Sequence, residues 1–234
     1  IMVKKMREKI ITLGWEIRFE SCMTDLEIID SKIKSIIINW TENLEVNDLI
    51  IALGHSARDT YEMIYSKWLE MTQKPFAMWV RIEHSADMIN RSQFWESCVN
   101  PKLWTASYKL VNHSNDVRSI YSFCMCPGGH VVAASSENWR LCTNWMSEYA
   151  QDSGTSNSAL LVSVTPEDFW STHPLAWIEF QRKWEEKAFI AWGSNYNAPA
   201  QLVWDFLQNK SSTKLGKLES TYKPGIKLGK IDEC

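Results

Sequence analysis

Asn39-Trp40 stands between two β-like runs, Ile33–Ile38 and the run that begins at Leu44. A two-residue hairpin turn of the favoured type I′ needs positive φ at both central positions, so glycine is the natural residue after asparagine. A tryptophan in that conformation is strained. Asn138-Trp139 repeats the arrangement, and Trp68 follows a helical pattern at the position where glycine commonly ends a helix. Trp145 follows Asn144 in a third turn-like site, and Trp192 stands beside Gly193. The chain has 13 Trp and 9 Gly in 234 residues, whereas glycine usually makes up ~7%. Bulky indoles belong in cores rather than at turns. Two readings account for this: a tryptophan-rich protein, or a gene that uses UGA for glycine, translated with UGA as tryptophan. The turn positions favour the second. Trp184 fits its helix face and reads as a genuine tryptophan, while all twelve others read as glycine positions.

The remaining composition excludes several classes. Charged residues make up 23% and apolar residues 45%, as in soluble globular proteins. With 25 Lys+Arg against 28 Asp+Glu the net charge is −3. That argues against a generally basic nucleic-acid binder and counts mildly against an RNA partner. No apolar run approaches the ~18 residues of a membrane-spanning helix, so no membrane partner is expected. Cys22, Cys98, Cys124, Cys126, Cys142 and Cys234 are scattered through a chain large enough to build its own core. They read as reduced thiols of a cytoplasmic protein. The chain opens on Ile1 in a helix-like pattern and closes on Cys234 after a turn-rich tail, which suggests a piece of a longer protein.

Residues 1–13 carry Met2, Met6, Ile10 and Leu13 on one helical stripe, ended by Gly14. Strands are expected over Glu16–Phe19, Met23–Ile29, Ile33–Ile38 and Leu44–Leu53. The last becomes wholly apolar in LIIAL, as a buried parallel strand does. Gly54-His55-Ser56 then turns the chain. Ser56 and Asp59 suggest a capping box for a helix reaching Lys67. This strand–turn–helix suits a dinucleotide-binding domain. From about Lys74 the pattern predicts short strands at Phe76–Glu83, Ser107–Asn112, Ser119–Cys124, His130–Ser135 and Leu141–Thr143. It also predicts helices at Ala86–Arg91, His173–Ile190 and Ala198–Leu207. Thr165-Pro166-Glu167-Asp168 is a second capping pattern, and Arg182 is expected to face solvent. Residues 209–234 read as a loop or linker.

With its turn tryptophans read as glycine, the chain resembles the bacterial NAD(FAD)-utilizing dehydrogenases, a family of FAD-dependent proteins. The resemblance rests on IALGHSARDTYEMIY (51–65), KPFAMWVRIEH (74–84), YSFCMCPGGHVVAASSE (121–137) and TNWMSEYAQDSGTSNSALLVSVTPEDFW (143–170). HPLAWIEFQRKWEEKAF (173–189), NYNAPAQLVWDFL (195–207) and TYKPGI (221–226) extend it. It implies an α/β fold with an α+β second part. Residues 1–73 would form part of a two-dinucleotide-binding-type FAD domain, and 74–208 an inserted mixed β/α substrate domain. Residues 209–234 would be a linker or a return segment. The family's glycine-rich phosphate loop would lie upstream of Ile1.

Within that resemblance Gly54, His55 and Ser56 are candidate FAD-binding residues, with Met23 a weaker adenine-side candidate. Cys124-Met125-Cys126-Pro127-Gly128-Gly129 is the strongest chemical lead. A thiolate there is a nucleophile or redox partner if amides or cations stabilise it. Cys126, at the strand end, is preferred over Cys124. Gly128 and Gly129 would let the backbone approach a cofactor. Spacing two puts both thiols on one face of a regular strand, and only a bulge would separate them. Arg81 in VRIEH is a candidate clamp for a substrate carboxylate, though a surface ion pair accounts for it equally. Asn195 and Tyr196 either line a pocket or cap a helix. Cys124, Cys126, His130 and Cys142 match no zinc spacing, so no metal is expected.

The resemblance implies an FAD-dependent oxidoreductase of a small-molecule substrate, with NAD(P)H as a possible reductant. A non-redox flavoprotein binding module, for example one associated with RNA, and an inactive piece remain as alternatives.

Overall fold

A computed structural model describes residues 2–113 and 118–233; Ile1, residues 114–117 and Cys234 lie outside it. The chain divides into two compact units, Ile1–Thr72 and Gln73–Cys234.

In the first unit α1 (Met2–Thr12) ends at Gly14, whose φ is +88°, and buries none of its residues. Three strands follow, β1 (Met23–Ile29), β2 (Lys32–Ile38) and β3 (Glu42–Glu45), in an antiparallel sheet ordered β1-β2-β3. Asp30 and Ser31, at φ 50° and 61°, turn β1 into β2. Asn39 and Trp40, at φ 50° and 66°, turn β2 into β3, and the Thr41 amide donates to the Ile38 carbonyl. The positive pair is that of a type I′ turn. Helix α2 (Arg58–Ser66) sets Ile64 against Leu26, Ile36 and Ile38 to form the core of this unit.

Three expectations are corrected here. Glu16–Phe19 is not a strand. The strand at Leu44–Leu53 reduces to β3, and Ile50 in the LIIAL run is 91% exposed. A buried parallel strand needs sheet neighbours, and the sheet of this unit consists of β1 to β3 alone among the described residues. Ser56 does not cap α2: the N-cap is Ala57, without a side-chain hydrogen bond, and Ser56 Oγ lies 3.4 Å from His55 Nε2.

The second unit is built on an antiparallel sheet ordered β4-β9-β6-β5. Its strands are β4 (Phe76–Ser85), β5 (Val111–Asn112), β6 (Ile120–Pro127) and β9 (Thr155–Val164). β7 (Gly129–Ala133) and β8 (Thr143–Ser147) form a separate hairpin. β10 (Ala198–Ala200) and β11 (Ile226–Leu228) pair in parallel. Helix α3 (Ala86–Phe94) follows β4 directly. Helix α4 (Ala176–Ala191) seats Phe180 against Val164 and Phe169. Further along, Phe189 joins Val131, Leu141, Ala198 and Tyr222 in a second cluster. The Thr165–Asp168 capping box forms as the spacing suggests, around a single 3-10 turn at Pro166–Asp168.

The sequence reading missed β9. Its start, Thr155-Ser156-Asn157-Ser158, has loop composition, yet Ser156, Asn157 and Ser158 are 0% exposed. The helix expected over Ala198–Leu207 is β10 followed by the short α5 (Val203–Leu207). Arg182 does not face solvent freely: its guanidinium chelates Glu137, with Nη2–Oε1 at 2.7 Å. The tail is part of the second unit, through β11.

Four of the thirteen tryptophans have left-handed φ: Trp40 (66°), Trp68 (63°), Trp95 (53°) and Trp139 (63°). Their exposures are 78%, 96%, 79% and 68%. Trp68 directly follows the C-cap of α2, and its amide donates to the Tyr65 carbonyl at 3.0 Å. Trp95 ends α3 at ψ −128°. That combination of angles is one that essentially only glycine adopts. Trp145 and Trp192 differ from the turn expectation. Trp145 lies within β8, and Trp192 is 4% exposed at the end of α4 with φ −110°.

Candidate functional site

The pleat of the main sheet gathers the chemistry on the β4–β9–β6 surface. Opposed residues of antiparallel strands share a face. Arg81 opposes Ala159, and Glu83 and Cys126 both oppose Asn157, so Arg81, Glu83, Asn157 and Cys126 stand on one face. β6 carries a bulge between Phe123 and Cys126, with Cys124 at φ +45°. The bulge places the extra residue of β6 there and breaks the regular alternation. A non-glycine residue held at positive φ stores strain, and such positions concentrate at functional sites.

Arg81 is the centre of this surface. Its Nη2 donates to Asn157 Oδ1, and its guanidinium carbon lies 4.8 Å from the centre of the Trp145 ring. Its Nε and Nη1 are buried without an acceptor, and so is Nδ2 of Asn157. Glu83 does not close this gap. Its oxygens accept from Ser220 Oγ at 2.6 Å, the Thr221 amide at 2.9 Å and Thr221 Oγ1. Burial lowers the Arg81 pKa, while the neighbouring thiols, Tyr108 and Glu83 act the other way.

Burial also acts on three groups around this arginine. Burial pushes the Cys124 thiol up, and Arg81 pulls it partly back. Burial likewise raises the Tyr108 phenol and lowers the His84 imidazole. His84 Nε2 and the Tyr108 hydroxyl are 2.8 Å apart. Cys126 is 5% exposed, which corrects the expectation that it is the accessible thiol; Cys124 is the more open of the two. The cause is local. A Cβ built on Gly129 would meet Cys126 Sγ at 2.4 Å, so the glycine makes room for the sulfur. One built on Gly128 would meet the Gln151 carbonyl oxygen at 1.9 Å, and the Gly128 amide donates to Ser156 Oγ at 3.1 Å. Both glycines are taken up by the chain's own packing.

The other candidate residues have partners of their own. Tyr196 stacks edge-on against Phe189 at 4.9 Å, and its hydroxyl accepts from the Trp139 amide. Asn195 Oδ1 accepts from the Asn197 amide. These contacts shape the loop after α4. In the first unit Met23 opens β1 and packs against its core. Gly54, His55 and Ser56 are exposed, and a Cβ at Gly54 would meet open space. Asn157, Ser158 and Tyr108 are the site residues that sequence reasoning missed. For Asn157 and Ser158 the signal available was the apolar run of β9 downstream of Ser158; Tyr108 carried none.

Residues 75–234 match the family described as FAD-dependent protein, C-terminal domain-like. An uncharacterised protein of Clostridium beijerinckii is 46% identical over 234 residues, which cover 100% of this chain and 44% of that protein. The chain therefore belongs to the FAD-dependent protein, C-terminal domain-like family, and it spans less than half the length of this relative. Its mixed α/β architecture with several sheets is that of the second unit just described. Among the described residues, no helix is long and apolar enough to cross a membrane.

Proposed function

We propose that the chain supplies the substrate-facing part of a cytoplasmic FAD-dependent oxidoreductase acting on a small molecule, with NAD(P)H as reductant. The family match over residues 75–234 carries this reading. When bound, FAD would supply the redox chemistry, and the protein would supply orientation and charge. The exposed Gly54–Ser56 turn fits such a group, because a Cβ built on Gly54 would meet nothing within 4 Å among the described residues. Gly128 and Gly129 do not fit it, since their surroundings are filled by Gln151, Cys126 and Met146. Cys124, half-buried beside Arg81, is the thiol placed to meet a substrate, while Cys126 holds the strand end in place.

The test is the absorbance spectrum of the full-length protein. It is expected to purify with an oxidised-flavin spectrum that NADH or NADPH bleaches. A flavin that neither nicotinamide bleaches would favour the non-redox binding module. Absence of flavin, even after incubation with FAD, would contradict the assignment.

We further infer that Trp40, Trp68, Trp95 and Trp139 occupy glycine positions, encoded by UGA in a source that reads UGA as glycine. What supports this is their backbone: four exposed indoles at φ between 53° and 66°. Trp184, packed beside Phe180 on α4, belongs with the tryptophans proper.

A further inference from the structure

We propose that Arg81 and Asn157 form a binding site for an oxyanion, and that residue 145 controls access to it. The argument starts from what is unpaired. Nε and Nη1 of Arg81 and Nδ2 of Asn157 are all donors, all buried and all without acceptors. Asn157 itself is 0% exposed. Buried donors are nearly always paired, and an arginine keeps its charge in practice, so it does not escape the cost by losing a proton. A buried charge short of acceptors is destabilising.

No protein acceptor fills the gap. Among the described residues, no carboxylate forms an ion pair with Arg81. The nearest acid on its face, Glu83, is held by Ser220 and Thr221. Burial raises the Cys124 thiol and the Tyr108 phenol, which disfavours their charged forms. Orphaned donors on a positively charged fork call for a ligand that only accepts and carries negative charge: a carboxylate or a phosphate.

The guanidinium also has the right edge free. Nη2 carries two hydrogens, and Asn157 Oδ1 takes one. Whichever it takes, the other lies alongside an orphaned N–H, leaving a two-pronged edge for bidentate binding. The same guanidinium lies over the Trp145 ring, its carbon 4.8 Å from the ring centre. Removing that ring would open the site without removing any of its donors.

The site stands independently of the flavin reading, because it requires only the donors of Arg81 and Asn157. The experiment uses the 234-residue chain and its W145G, R81M and R81K variants. Each is titrated with acetate and with inorganic pyrophosphate at matched ionic strength, following melting temperature and binding heat. W145G is expected to bind one of these anions saturably, and more tightly than the parent chain. R81M should abolish that binding while raising the melting temperature of the unliganded chain, because it removes a buried unpaired charge. R81K keeps the charge but loses the fork, and should weaken binding by about tenfold or more. A response to acetate would identify a carboxylate substrate, and one to pyrophosphate the phosphates of a cofactor; either supports the site. No saturable response in the parent chain or W145G, or a response unchanged in R81M and R81K, would overturn it. Neither outcome bears on flavin binding by the full-length protein, so the two claims fail separately.

Discussion

Replacing Trp40, Trp68, Trp95 and Trp139 together by glycine raises the stability of the chain. Each indole sits on a backbone at φ between 53° and 66°. For a residue with a Cβ, the left-handed region costs roughly 1–2 kcal/mol. Glycine relieves that strain but gives back about 0.5–1 kcal/mol through the greater freedom of its unfolded chain. The net gain is therefore about 0.5–1 kcal/mol per site. Little burial is lost, because the four side chains are 68–96% exposed. Trp139 gains least, since its ring meets Phe189 edge-on at 6.0 Å. Four substitutions together should give ~2–4 kcal/mol, a large share of a typical domain stability of ~5–15 kcal/mol. Urea unfolding measures it, with Trp184→Gly as the opposing control. That change removes a half-buried side chain packed against the Phe180 cluster and places a glycine inside a helix, and should cost ~2–4 kcal/mol. A quadruple variant no more stable than its parent would mean that these backbones tolerate tryptophan.

Gly129→Ala and Gly128→Ala should each be strongly destabilising. At Gly129 the added carbon would press on Cys126 Sγ at 2.4 Å and on the Met146 carbonyl oxygen at 2.9 Å. At Gly128 it would fall on the Gln151 backbone, on a residue whose φ is +58°. Overpacking of this kind costs typically ~1–3 kcal/mol and more where backbone must move. The Gly128 variant adds the strain of its dihedral, for a total of roughly 3 kcal/mol or more. The measurement is the denaturant midpoint of each variant. Losses below ~0.5 kcal/mol would mean that the space beside these glycines is open, as a cofactor approach would require.

The glycines of CMCPGG illustrate what the sequence did and did not reveal. Their closeness to another group was legible from residue type alone, but the identity of that group was not. A glycine that admits a ligand and one that admits Gln151 look the same in one dimension. Met23–Ile29 and the α4 helix were legible because their apolar periodicity matched their burial. LIIAL misled for the opposite reason: a continuous apolar run signals a buried strand only where neighbours exist to bury it. β9 was hidden because its first half buries serine and asparagine, residues whose local preference is for turns. They are tolerated inside because most of their polar atoms are paired, as Ser156 is with the Gly128 amide. Arg81 could be named from sequence as an anion clamp or a surface ion pair. Only the strand pairing, which brings β9 beside β4, revealed that its fork stands next to Asn157 and lacks a carboxylate. The tryptophan pattern was legible at Trp40, Trp68 and Trp139 from turn chemistry. Trp95 was not, because the end of α3 could not be placed from its sequence.

The most direct measurement is mass spectrometry of the protein isolated from its own cells, on the peptides that contain residues 40, 68, 95 and 139. The backbone at these positions predicts glycine masses at all four, with tryptophan retained at Trp184. Tryptophan masses at Trp40, Trp68, Trp95 and Trp139 would contradict the account.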